Sequence, residues 1–168
     1  MRGTQDKQAS MLALISIEGR ILPDHPLRKI KAMADQELLK LSGVFNRMYS
    51  TVGRPSVAPE KILKSLLLIA LYSVRSERQF CEQLDYNLLF RWFLDMELEE
   101  ESFDATVFSK NRDRLLEQEV GRLFFDAVVK QAREAGLMSD DHFTVDGTLI
   151  EAWQALRVFG QGRRSVGR

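Results

Sequence analysis

PEKILKSLLLIALYSV, residues 59–74, is the stretch that decides the fold. Pro59 pre-sets the backbone for a first helical position, and the centre that follows, LLLIALY at 66–72, is apolar nearly all round. A helix without a polar face belongs in the middle of a packed set of helices, not on a surface. The apolar run 66–72 is far too short to cross a bilayer, and Lys61, Lys64 and Arg75 interrupt its flanks. The segment therefore reads as the central helix of a soluble helical core.

Working outward, the sparse prolines and glycines divide the rest of the chain. On the N-terminal side, Gly53-Arg54-Pro55 marks a loop. Before it, Pro26 opens a helix in which Leu27, Ile30, Met33, Ala34, Leu38 and Leu41 recur at helical spacing. Gly43 is expected to end or break that helix, with Val44, Phe45, Met48 and Tyr49 forming a separate short turn. Residues 1–25 read as an irregular arm. On the C-terminal side, Ser76 is a good N-cap for a helix carrying Phe80, Cys81 and Leu84 inward. Asp85-Tyr86-Asn87 turns the chain into a helix over 88–96, and an acidic loop covers 97–101. Asp104 caps a helix running to about Glu117, and a last helix, 120–135, is closed by Gly136.

At His142 the pattern changes from a period of about 3.6 to one of about 2. His142–Asp146 and Leu149–Trp153 read as two strands joined at Gly147-Thr148. The expected organisation is an arm at 1–25, a helical domain at 26–140, a β-hairpin at 141–153 and a basic, disordered tail at 154–168. The fold class is mainly α, with one terminal hairpin that is marginal alone in water.

Composition limits the function classes. The 168 residues hold 24 basic and 24 acidic side chains, so the chain has no overall basic field to attract nucleic acid. Any DNA-facing surface has to be a local stripe. Residues 1–54 are nonetheless basic on balance, and residues 153–168 contain four arginines and no acid. No secretory leader is evident, and one cysteine, Cys81, fits a reducing cytoplasm. His25 and His142 are isolated from it and from each other, which argues against zinc. Glycine-rich phosphate loops, nucleophile elbows and HExxH are absent from the sequence.

Three separated stretches carry a resemblance. GRPSVAPEKILKSLLLIALYSVRSERQFCEQLDYNLLFRWFLDM (53–96), DATVFSKNRDRLL (104–116) and FTVDGTLIEAW (143–153) resemble bacterial insertion-sequence transposases of the insertion-sequence-five group. The resemblance implies an N-terminal helical domain that binds double-stranded DNA at the element's terminal repeats, by a helix-turn-helix-like arrangement. It also implies an RNase H-like α/β catalytic domain with a DDE triad of carboxylates holding Mg²⁺. Asp146, in TVDGT, matches the first of those carboxylates and would be both catalytic residue and metal ligand. An Asp-Gly turn accounts for the same residue without any metal.

Two-metal phosphoryl transfer needs several carboxylates around paired cations. After Asp146 only 22 residues remain, and Glu151 is the sole acid among them. The expectation is a fragment of a transposase, cut short after the first catalytic aspartate. It would bind element ends without cleaving or joining strands on its own. The tail QALRVFGQGRRSVGR departs from the family and resembles translation in a shifted frame. A fragment of this kind would also suit a role as a self-associating partner or inhibitor of intact transposase, or be a remnant without a role.

For DNA reading, the Asp104 helix presents Thr106, Ser109, Lys110, Asn111, Arg112 and Arg114, while Val107, Phe108, Leu115 and Leu116 are placed to face the core. Short polar side chains and Asn suit base edges; Lys and Arg suit guanine edges or phosphates. The alternative reader is the Ser76 helix, with Glu77, Arg78 and Gln79 at its start. Arg54 and Arg75 flank helix ends where phosphate contact and plain solvation both account for them. A mixed-charge helix face also arises as ordinary solvated surface.

Overall fold

A computed structural model describes residues 16–49 and 56–138. Residues 1–15 of the arm, the loop holding Arg54, the expected hairpin with Asp146 and the basic tail lie outside the described residues. Those described are mainly helical and contain no strand. In chain order the helices are α1 (Ile17–Arg20), α2 (Leu27–Met48), α3 (Pro59–Leu71), α4 (Glu77–Gln83), α5 (Leu88–Phe93), α6 (Ala105–Glu117) and α7 (Val120–Glu134).

The caps follow local chemistry. Ser76 accepts from the Gln79 amide at 3.1 Å, and Asn87 from those of Leu89 and Phe90 at 3.1 and 3.2 Å. Each satisfies donors that the first helical turn leaves without intrahelical partners. At the far end of α3, Ser73 takes a left-handed φ of 49°, and the Val74 amide reaches back to the Ile69 carbonyl at 3.0 Å. Gly136, with φ of 65°, closes α7 in the same manner.

Two expectations are corrected. Residues 17–20, assigned to the irregular arm, form α1, because Ser16 accepts the Gly19 amide at 3.2 Å. Gly43 does not break α2, which runs unbroken to Met48. The inward stripe explains why: Ala34, Leu38 and Phe45 are buried, with Leu41, Val44 and Met48 packed against the same core. Burial of that stripe, worth about 1.5–3 kcal/mol for each fully enclosed large side chain, outweighs a glycine penalty of about 1 kcal/mol.

α3 occupies the centre, packing against α2, α6 and α7, while α2 lies along α7, α4 against α6, and α1 against α5. Ile62, Leu63 and Leu68 are fully buried. An aromatic cluster fills the space between the shorter helices: Phe80 lies 5.6 Å from Phe90 and 5.9 Å from Phe108.

Charge enters this core at Lys64 on α3. Its ammonium pairs with Asp35 of α2 and with Asp95, at 2.6 Å, after α5. Lys31 reaches the same two carboxylates at 3.0 and 2.6 Å, closing a neutral four-membered ring of charges between three elements. Burial opposes ionisation of Asp95, but the two ammonium groups prevail and hold its carboxyl below the usual range. A depressed carboxyl contributes stability above its unfolded value, about 3.9, and loses it as pH falls through the folded value. Urea midpoints are therefore expected to fall between pH 5 and 3, and Asp95→Asn should flatten that acid limb while lowering the midpoint at pH 7.

Candidate nucleic-acid interface

The α6 helix begins at Asp104, whose carboxylate accepts the Thr106 and Val107 amides at 2.8 and 3.1 Å. Those backbone donors hold its carboxyl below the ordinary value. Phe108, Asn111 and Leu115 are the buried residues of the helix. At about 100° per residue, Thr106, Lys110, Asp113 and Glu117 fall on the opposite side. All four are exposed, with exposed Val107 and Arg114 on the flanks.

Two positions trade places relative to the sequence reading. Asn111, expected among the DNA-facing side chains, is buried and donates to the Val107 carbonyl at 2.8 Å. It lies three residues from Phe108 and four from Leu115, inside the core stripe. Val107 is 42% exposed, not inward, which puts an apolar methyl pair on the outer surface.

Ser109 and Arg112 are drawn toward α4. Glu77 accepts from the Ser109 hydroxyl at 2.5 Å and forms an ion pair with Arg112, which also meets Asp113 at 2.8 Å. These two side chains fix α6 against α4. Arg75, immediately before the Ser76 cap, and Arg78 and Gln79 on α4 are exposed. Of the predicted readers, Thr106, Lys110 and Arg114 are thus the ones exposed along α6, with the acids Asp113 and Glu117 exposed on the same side.

Arg47 was missed by the sequence reading. Splitting α2 at Gly43 left it without a helix face; in the unbroken helix it stands in the last turn. There it joins Val44, Met48, Arg114 and Gln118 around a cleft of about 340 Å³. The Arg114 guanidinium lies over the Tyr49 ring, 5.2 Å from its centre.

A larger cleft, about 720 Å³, has the opposite sign: Glu18, Asp95, Glu97 and Glu99 line it beside Lys31 and Trp92. Arg28 and the Trp92 indole N–H both bond to Glu18 and hold its carboxyl below the ordinary value. Such a wall repels phosphate.

Burial pushes the Cys81 thiol up to about 11, so it is no nucleophile at neutral pH. His25 accepts the Leu27 amide at 3.2 Å through Nδ1. Among the described residues, no three side chains of metal-binding type are grouped to hold an ion, and no helix is long and apolar enough to cross a membrane. The Mg²⁺ expected from the resemblance belongs to Asp146, which lies outside the described residues.

Neither the curated proteins nor the solved structures gave a match to this chain. Residues 15–114, from the start of α1 through most of α6, match the family described as Transposase domain (DUF772), so the chain belongs to that transposase-domain family and is a transposition-related protein.

Proposed function

We propose that the helical domain recognises double-stranded DNA at the terminal repeats of an insertion sequence of the insertion-sequence-five group. In this reading α4 and α6 act as a helix-turn-helix-like pair, and α6 enters the major groove. The observation that carries it is the outward strip Thr106–Lys110–Arg114, on a helix whose other side is locked into the core of a transposase-family domain. Lys110 is placed for a guanine edge, Thr106 for an adjacent base, and exposed Val107 for a thymine methyl. Arg75 and Arg78 on the α4 side are assigned to phosphates, as is Arg54.

Asp146 is assigned as the first carboxylate of a DDE triad, the group that would supply one Mg²⁺ ligand. Strand cleavage needs further carboxylates beside it. The activity proposed for the described helical domain is binding.

The test is a fluorescence-anisotropy titration with the DNA that flanks the coding sequence and with a scrambled duplex. Lys110→Ala should weaken binding to the element end by about 1–3 kcal/mol and change binding to the scrambled duplex far less. Equal losses on both duplexes, or none, would remove α6 as the reader.

A further inference from the structure

We propose that the cleft between the C-terminal ends of α2 and α6 holds a phosphodiester group of the DNA backbone. The inference rests on the domain being DNA-binding, but not on which helix reads the bases.

Val44, Arg47 and Met48 form one side of the cleft, Arg114 and Gln118 the other. Among the described residues the lining offers two cations, one amide donor and no carboxylate. That combination is unusual in this molecule, where Arg28, Lys31, Lys61 and Lys64 are each paired with acids. Arg47 and Arg114 make no ion pair among the described residues. Arg114 is instead held by its stacking over Tyr49, a contact that orients the guanidinium without neutralising it. Arg47 lies back along α2: its Nη1 is 4.0 Å from where a Cβ on Gly43 would stand.

Arginine at a helix end has a simpler use, compensation of the helix dipole. The magnitudes decide between the two. Each helix C-terminus carries about half a negative charge, so two ends offset about one of the two guanidinium charges. The lining itself keeps a net charge of about +1, with Glu60 the carboxylate felt at Tyr49 beside it. Guanidinium N–H groups match phosphate oxygens as paired donors. One face of Tyr49 is occupied by Arg114, which makes the site suited to a backbone group and not to a stacked base. Arg114 stands one helical turn beyond Lys110, so a strand followed by the α6 strip is carried toward the cleft.

The experiment measures affinity of the full chain for a short duplex of arbitrary sequence, and for the element-end duplex, over a series of salt concentrations. Arg47→Gln and Arg114→Gln should each flatten the slope of log K against log salt by about one, alike on both duplexes. Arg47→Lys and Arg114→Lys should retain most of the slope. Arg47 is exposed, so its variants carry the test even if Arg114→Gln, which loses the Tyr49 contact, melts early. Unchanged slopes in Gln variants of a chain that binds DNA would overturn the cleft and leave the proposed function standing. Flattened slopes in a chain that binds both duplexes equally would uphold the cleft and overturn base reading. A wild-type chain that binds neither duplex would overturn both.

Discussion

Replacing Arg91 with alanine is expected to destabilise the helical domain by about 3–5 kcal/mol, the cost of removing one partner from a buried charged network. Arg91 is only 3% exposed, and no carboxylate pairs with it among the described residues. Its guanidinium is satisfied by backbone carbonyls instead. Nη1 donates to Leu84 at 2.5 Å, Nε to Glu97 at 3.2 Å and Nη2 to Leu98 at 3.2 Å, with further bonds from Nη2 to the carbonyls of Glu97 and Glu100. One side chain thus joins the end of α4 to the loop that leads toward α6. Hydrogen bonds to a charged group contribute about 1.5–3 kcal/mol each, but the loop carbonyls regain water when the arginine goes, so the losses do not add in full. A thermal melt should record a fall of about 10–20 °C. Arg91→Lys should recover only part of it, because an ammonium cannot span carbonyls on two sides with a planar fork. A change below about 1 kcal/mol would mean that the acidic loop is held by other contacts.

Phe108→Ala should carry a comparable penalty, about 3–5 kcal/mol for a fully enclosed phenylalanine. Phe108 is 0% exposed and lies against Phe80 of α4 and Phe103 ahead of α6, at 5.9 and 6.3 Å between ring centres. Its importance to function is orientational. The same ring that anchors α6 sets the rotation that turns Thr106 and Lys110 outward. Well below its melting temperature, the variant is expected to lose preference for the element end while keeping salt-dependent binding to any duplex. Phe108→Leu, which refills most of the volume, should restore both stability and preference. Retained preference in a destabilised Phe108→Ala chain would separate α6 from recognition.

Much of the fold was legible because it rests on local signals. The caps Ser76 and Asp104, the turn at Asp85-Tyr86-Asn87, the stop at Gly136 and the apolar centre of α3 are each readable from a few neighbouring residues. The failures came where tertiary packing overrides a local rule. Gly43 reads as a helix end until Phe45 and Met48 are seen to continue the stripe begun by Ala34 and Leu38. That one misreading also hid Arg47 and hence the basic cleft.

Within the candidate interface, residue type alone did not separate outward from inward positions on α6. Asn111 looks like a base reader and is a core residue, while Val107 looks like core and is exposed. Ser109 and Arg112 have DNA-binding chemistry but are engaged by Glu77, a partner 32 and 35 residues away that no local pattern reveals. The buried Lys64 and Arg91 are of the same kind, since their partners come from other elements or from distant carbonyls.

The central claim is that this domain distinguishes element-end DNA from other DNA, and equilibrium competition tests it most directly. The purified chain, bound to a labelled duplex from the flanking DNA, is challenged at fixed salt with unlabelled specific and scrambled duplexes. Specific protein–DNA recognition separates the two by about a thousandfold or more, and that separation is the predicted result. Equal competition by both duplexes would contradict it.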